Sequence, residues 1–306
     1  EEDHLYKIDH SNDIFYIQTN LNSPNYRIMQ SLNASISHID ESNELIPHDP
    51  NVYIQDFVIT SSYIVLEVRK NGLPAISQYQ KDSLIATDIM LPDTSYFVSL
   101  ASSDYVDYEN NEFHYYYSSP NRPLAIYKAN AINKISSKVW QKIVNNFEED
   151  DYVVERTFNE VRDGTMVPAT IVYKADSNLN RPILFYGYGS YGINIEARFR
   201  ETILPLINKG FIFVYLNIRG GAEMGKEWYE QGRMLNKMNS FYDFNDSVEA
   251  ILNKGYGDKN NVFAQGGSAG GLLMGAIVNL KPELYKGIIS GVPFVDVLTT
   301  MSDESI

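Results

Sequence analysis

Along the first half of the chain, apolar and polar residues alternate in short runs separated by turn signals, and each run reads as a half-buried strand. The runs fall at residues 13–18, 26–29, 52–58, 63–68, 96–100, 113–117 and 124–127, with Asn71-Gly72 and Pro92-Asp93 among the turns between them. They recur with a loose period of roughly 45 residues, which fits about three blades of a β-propeller. So few blades do not close a ring, so this half is expected to be incomplete.

The pattern changes near residue 150. A hairpin is expected over 153–161 and 167–173 around Arg162-Asp163-Gly164, then an apolar strand at 182–186. Helix-like spacing follows through 204–207, a strand at 211–218, a helix at 244–253, a strand at 261–264, a helix at 272–278 and a strand at 287–292. Strands buried on both faces and alternating with helices predict a mostly parallel sheet, whose chemistry sits at the carboxyl ends of the strands. Two domains are therefore expected, residues 1–150 and residues 151–306.

Residues 264–271 read Ala-Gln-Gly-Gly-Ser-Ala-Gly-Gly. A serine held on a sharp strand-to-helix turn needs small neighbours, because the strained backbone brings the flanking residues too close for side chains. Gly266 and Gly270 meet that demand and mark Ser268 as a nucleophile. Acyl transfer also needs donors for the developing oxyanion. The backbone N–H of Ala269, directly after the serine, is one candidate. The second should come from a loop after an earlier strand, and Tyr186-Gly187-Tyr188-Gly189-Ser190-Tyr191-Gly192 is such a loop. Arg219, at the end of the next strand, could contact substrate or pair with Glu223 or Glu227, and the structural pairing is the favoured reading. Asp243, Asp246 and Asp258 precede the serine and read as helix-capping or turn residues. On this kind of sheet the acid and the histidine follow the serine along the chain. All five histidines, His4, His10, His38, His48 and His114, precede it instead.

Composition narrows the picture further. The net charge of −14 and the lack of clustered Lys and Arg argue against a nucleic-acid partner and favour cationic ligands. With no cysteine, disulfides and thiolate metal sites drop out, in agreement with a reducing, cytoplasmic setting. Neither a metal nor a cofactor is expected. No apolar run reaches membrane-spanning length, so no membrane partner is expected. The opening Glu1-Glu2-Asp3 has the wrong charge for a secretion signal, and the lack of an initial methionine suggests a segment of something longer.

These motifs, together with Arg219-Gly220-Gly221 and the run Val292-Pro293-Phe294-Val295-Asp296-Val297-Leu298-Thr299-Thr300-Met301, resemble the prolyl oligopeptidase family, and within it the oligopeptidase B branch. The resemblance is dense from Tyr152 onward and thinner before it. It implies the last blades of a β-propeller over residues 1–150, followed by the N-terminal part of an α/β-hydrolase domain over 151–306. It further implies cleavage of short peptides after Lys or Arg, with Ser268 as nucleophile and the Ala269 N–H and Tyr188 hydroxyl as oxyanion hole. The family's Asp, His and acidic P1 pair would lie beyond Ile306, so this chain alone is expected to be inactive. A complementing C-terminal fragment is the partner such a chain would need, and a truncated, non-catalytic remnant is the alternative reading. Relatives carry two aspartates near the P2 subsite where this chain has Glu196 and Arg198, so a weakened preference for basic P2 is expected. The third glycine of the family's Arg-Gly-Gly-Gly-Glu run is Ala222 here.

Overall fold

The computed structural model describes residues 4–32, 36, 38–175 and 178–305. Glu1, Glu2, Asp3 and Ile306, on which the readings of the two chain ends fall, lie outside the described residues. The chain forms two compact units, residues 1–145 with 224–227, and residues 146–223 with 228–306.

The first unit contains three four-stranded antiparallel meanders. They are β1 (Tyr6–Ser11), β2 (Ile14–Thr19), β3 (Arg27–Ser31) and β4 (Asn43–Ile46); β5 (Val52–Ile59), β6 (Tyr63–Lys70), β7 (Leu73–Gln80) and β8 (Ala86–Asp88); and β9 (Phe97–Leu100), β10 (Glu112–Ser119), β11 (Arg122–Asn130) and β12 (Ile135–Gln141). This is propeller-blade architecture with the expected period. Successive side chains of a strand point to opposite faces, and in β6 both faces are covered. Ile64, Leu66 and Val68 join a core with Tyr16, Ile28 and Ile46 of the first meander. Val65 joins another with Val98, Phe113 and Tyr115 of the third. Double coverage explains why this run is almost continuously apolar.

Five of these strands are absent from the sequence expectation: β1, β4, β7, β8 and β12. Their registers come from their neighbours. β12 is exposed almost throughout, and β7 carries Pro74 opposite Arg69, so neither presents the alternation of a half-buried strand.

The second unit holds a six-stranded sheet of β13 (Tyr152–Glu160), β14 (Met166–Lys174), β15 (Ile183–Tyr186), β16 (Ile212–Leu216), β17 (Val262–Gly267) and β18 (Gly287–Gly291). Their spatial order is β13-β14-β16-β15-β17-β18. The first three pair antiparallel, whereas β16, β15, β17 and β18 run parallel. The helices are α1 (Leu204–Asn208), α2 (Lys226–Glu230), α3 (Met238–Asn253), α4 (Ala269–Leu280) and α5 (Val297–Met301). Helix α3 starts six residues before the expected 244 because its buried face carries Ser240, Asp243, Asn245 and Ser247 among the apolar residues. That polarity masks the helical period.

Candidate active site

β17 ends at Gly267 and α4 begins at Ala269, which leaves Ser268 alone at the turn, exposed, with φ 58° and ψ −118°. A non-glycine residue at positive φ persists only where its surroundings over-determine it. Here the Ser268 carbonyl accepts from the N–H groups of Gly271 (2.9 Å), Leu272 (3.2 Å) and Phe294 (3.1 Å), while the Ser268 N–H donates to Gly291 O at 2.9 Å. That last bond removes the serine's own N–H from any oxyanion hole. The Ala269 N–H, first in α4, is one of the orphan donors of a helix N-terminus and remains suited to the task.

The glycines do more than relieve the turn. A Cβ on Gly266 would lie 2.3 Å from Gly270 O and 3.1 Å from Gly187 O, and one on Gly270 would lie 3.0 Å from Gly187 O and 3.3 Å from Tyr188 Cδ2. Both therefore face the Gly187–Tyr188 peptide. Their missing side chains let the loop after β15 lie directly on the elbow. Gly187 is in turn held against α3, where a Cβ would meet Phe244 at 2.8 Å. The close approach brings the Tyr188 phenol near enough to the Ser268 side chain for that hydroxyl to act on its titration. Burial pushes the Tyr188 phenol above its ordinary value, helped by Tyr191, and the nearby Ser268 hydroxyl opposes this only in part. Tyr188 thus stays protonated at neutral pH and can donate.

Arg219 is placed differently from a substrate contact. Its side chain is 4% exposed. Its Nε and NH2 donate to Asp243 at 2.9 and 2.5 Å, its backbone N–H donates to the same carboxylate at 3.0 Å, and NH1 lies 2.7 Å from Asp163. The structural pairing holds, but with these aspartates in place of Glu223 or Glu227. Asp243 and Asp246 are accordingly not capping residues: both sit inside α3, and Asp246 takes a bidentate pair from Arg162 at 2.8 Å. Asp258 does close a turn, accepting from Asn260 N at 2.9 Å. Glu223 is buried and accepts from Ile195 N at 2.8 Å and Asn217 Nδ2 at 3.2 Å. That anchor fixes the loop carrying Glu196, which is half-buried, and Arg198, which is exposed.

Sequence reasoning missed Lys237. Its Nζ donates to Gly189 O, to Ser190 Oγ at 2.8 Å and to Ser240 Oγ at 3.3 Å. Burial alone lowers its ammonium to about 8. A lysine between a loop and a helix gives no local signal of this role, since the loop oxygens it holds are 47 and 48 residues away.

Among the described residues no hydrogen bond joins Ser268 to an imidazole, and no cluster of His, Cys, Asp or Glu could hold a metal ion. No helix is long and apolar enough to cross a membrane.

A serine at a strained strand-to-helix elbow on a largely parallel sheet, with a phenol against its hydroxyl, defines the class as an α/β-hydrolase site. Residues 197–306 match the model of the prolyl oligopeptidase family, and residues 1–143 match that of the prolyl oligopeptidase N-terminal β-propeller domain. The chain belongs to the prolyl oligopeptidase family. It is 36% identical to the dipeptidyl aminopeptidase BI of Pseudoxanthomonas mexicana, over 100% of this chain and 42% of that protein. It is 34% identical to protease 2 of Moraxella lacunata, over 99% and 43%. Oligopeptidase B from Trypanosoma brucei, solved in a closed form with covalently bound antipain, superposes with a TM-score of 0.90 at 32% identity, over 100% of this chain and 44% of that one. The chain thus spans less than half the length of the relatives it matches.

Proposed function

We propose that this chain supplies the nucleophile and oxyanion hole of a serine oligopeptidase that cleaves short peptides after Lys or Arg. The observation that carries the reading is the strained elbow at Ser268, on which the loop bearing Tyr188 lies directly because Gly266 and Gly270 leave room for the Gly187–Tyr188 peptide. Ser268 Oγ attacks the scissile carbonyl, whose oxygen takes hydrogen bonds from the Tyr188 hydroxyl and the Ala269 N–H as negative charge develops. The proton passes to a general base, for which the resemblance implies a His with an acid partner, and a complementing C-terminal fragment is the proposed source of both. The preference for basic P1 rests on similarity to protease 2 and oligopeptidase B and on the chain's acidity. The dipeptidyl aminopeptidase among the relatives makes the mode of cleavage the point to test. Arg198 lies in the solvent-exposed part of its loop, so a weakened preference for basic P2 is the expected consequence of a cation there.

The test uses an assembly of this chain that turns over. Ser268→Ala is expected to lower kcat about 10⁶-fold with folding intact, and to abolish labelling by a fluorophosphonate. The 306-residue chain alone is expected to label slowly. Fluorogenic peptides with Arg, Lys or Pro at P1, and an ester, then fix the leaving group. Near-normal turnover by Ser268→Ala would overturn the assignment, and a preference for Pro or for the ester would overturn the substrate class.

A further inference from the structure

We infer that Lys237 is a positioning residue that clamps the loop bearing Tyr188 and so sets the geometry of the oxyanion hole. The inference rests on the reading of Tyr188 given above and adds the residue that holds it.

The Tyr188 loop is held at its two ends, by the Gly187 N–H on Gln265 O at 3.3 Å and the Gly192 N–H on Gly220 O at 3.0 Å, with Gly189 and Ser190 between them. Its centre, Gly189, has φ +67°, a conformation that L side chains rarely adopt, and a Cβ there would lie 2.7 Å from Ile218 Cδ1. The following carbonyl is boxed in as well, since a Cβ on Gly220 would come within 2.1 Å of Gly189 O. Into this corner Lys237, the residue before the first turn of α3, sends its ammonium. It grips two consecutive oxygens, Gly189 O and Ser190 Oγ, immediately after Tyr188. A third bond to Ser240 Oγ ties the clamp to α3, and Ser240 Oγ also donates to Arg219 O at 2.7 Å. The peptide next to the phenol is thereby locked to a helix that Asp243 joins to β16 through Arg219.

No carboxylate pairs with Lys237 among the described residues. Its nearest ring is Phe241, with the ammonium 5.8 Å from the centroid. A half-buried ammonium satisfied only by neutral oxygens is costly to the fold. The fold disfavours its charged form at neutral pH, because its folded value of about 8 lies below the ordinary lysine value of 10.5. Replacing it relieves that cost but also removes three hydrogen bonds, so only a small change in stability is expected at pH 7. What the residue gives in return is geometry: three donors on one rigid point fix a loop whose own sequence, Gly-Tyr-Gly-Ser-Tyr-Gly, does not.

The experiment is a double-mutant cycle in a turning-over assembly, with Lys237→Met and Tyr188→Phe alone and together. Tyr188→Phe is expected to lower kcat by about 10² to 10³ with KM little changed. Lys237→Met is expected to lower kcat on the order of 10²-fold through misplacement of the phenol. In the Tyr188→Phe background the same substitution should change kcat by less than about 2-fold, because the group it positions is already gone. The unfolding midpoint of Lys237→Met should stay close to that of the wild type. Lys237→Gln, which keeps N–H donors, should give an intermediate kcat and serves if the methionine variant does not fold. Additive losses, or a lowered midpoint with unchanged kcat, would make Lys237 merely structural and overturn the inference while leaving Tyr188 in the oxyanion hole. A silent Tyr188→Phe would overturn both.

Discussion

The blade unit and the sheet unit bury their residues by opposite rules. In the blades, alternate residues of one strand feed two neighbouring cores, as Ile64, Leu66 and Val68 do on one face of β6 and Val65 on the other. The load is spread over many similar positions, and the same arrangement recurs from meander to meander. In the sheet unit the chain converges on one point. Gly187, Gly266, Gly270 and Gly271 each occupy a place where a Cβ would meet another residue at 3.0 Å or less, and all four lie around the backbone of Ser268 and Tyr188. Repetition gives a scaffold in which single positions matter moderately. Convergence gives a site in which a few contacts carry the geometry and the surrounding charges must be individually satisfied.

The largest expected effect tests the convergent side. Arg219 forms a pair with Asp243 that is almost free of solvent, while its second partner Asp163 is partly exposed, and breaking a buried pair by removing one partner leaves the other charge uncompensated, at a cost of about 3–5 kcal/mol. Arg219→Met should lower the protection of amides in the 146–223 and 228–306 unit by that amount in native-state hydrogen exchange, with the blade unit unaffected. An effect under about 1 kcal/mol would mean that the sheet unit distributes its load as the blades do. Hydrogen exchange is the suitable measurement because a chain of two compact units need not unfold in a single transition.

An intermediate effect is expected in the blades, at their least redundant position. Asn111, with φ 55°, is buried and accepts from Thr60 Oγ1 and from Ser62 N at 2.8 Å each, while its Nδ2 donates to Ser61 Oγ at 2.7 Å. It pins the β5–β6 turn to the start of β10. Asn111→Ala leaves buried polar partners behind and forces alanine into a left-handed conformation that asparagine tolerates better, so a loss of about 1–3 kcal/mol is expected. Should exchange in the blades fall as much as it does in the sheet unit with Arg219→Met, the contrast between the two units would fail.

What could be read from the sequence follows the same division. Strands with one buried face announced themselves, as did the elbow, because alternation and Gly-x-Ser-x-Gly are local patterns with local physical causes. Ser268, Ala269 and the Tyr188 loop were legible for that reason. β12 was not, since its residues Ile135–Gln141 are almost all exposed and it is recognised as a strand only through its ladder to β11. Nor was Asp243 legible as the partner of Arg219, or Lys237 as the clamp on Gly189: each pair joins residues 24 or 48 positions apart. Glu223 looked like the neighbour of Arg219 and is instead the anchor of Ile195. Proximity in sequence misassigned the ion pair because the strand-to-loop turn sends the two side chains to different partners.

The smallest effect concerns a second ion pair in the sheet unit, and it shows where convergence ends. Arg162, in the β13–β14 turn, forks onto Asp246 with both bonds at 2.8 Å and stacks over the Tyr242 ring at 3.9 Å, yet its side chain is 45% exposed. Burial pushes the Asp246 carboxyl up, but the side-chain and backbone hydrogen bonds from Arg162 outweigh it and hold the group below the usual carboxylate range. A carboxylate with a depressed folded value contributes stability that is fully present above its unfolded value, about 3.9, and is lost as pH falls through the folded value. Solvent screens the Arg162 end, so the pair is worth about 0.5–1 kcal/mol, far below the Arg219 cluster. Asp246→Asn should therefore cost no more than that at pH 7, should cost less in high salt, and should cost progressively less as pH falls below the unfolded value and through the folded one, where the wild-type carboxylate becomes protonated. Exchange measured across that pH range at two salt concentrations checks all three. A loss at pH 7 that equals that of Arg219→Met would show that partial exposure does not weaken a bidentate pair in this sheet, and the distinction between its inner and outer charges would have to be abandoned.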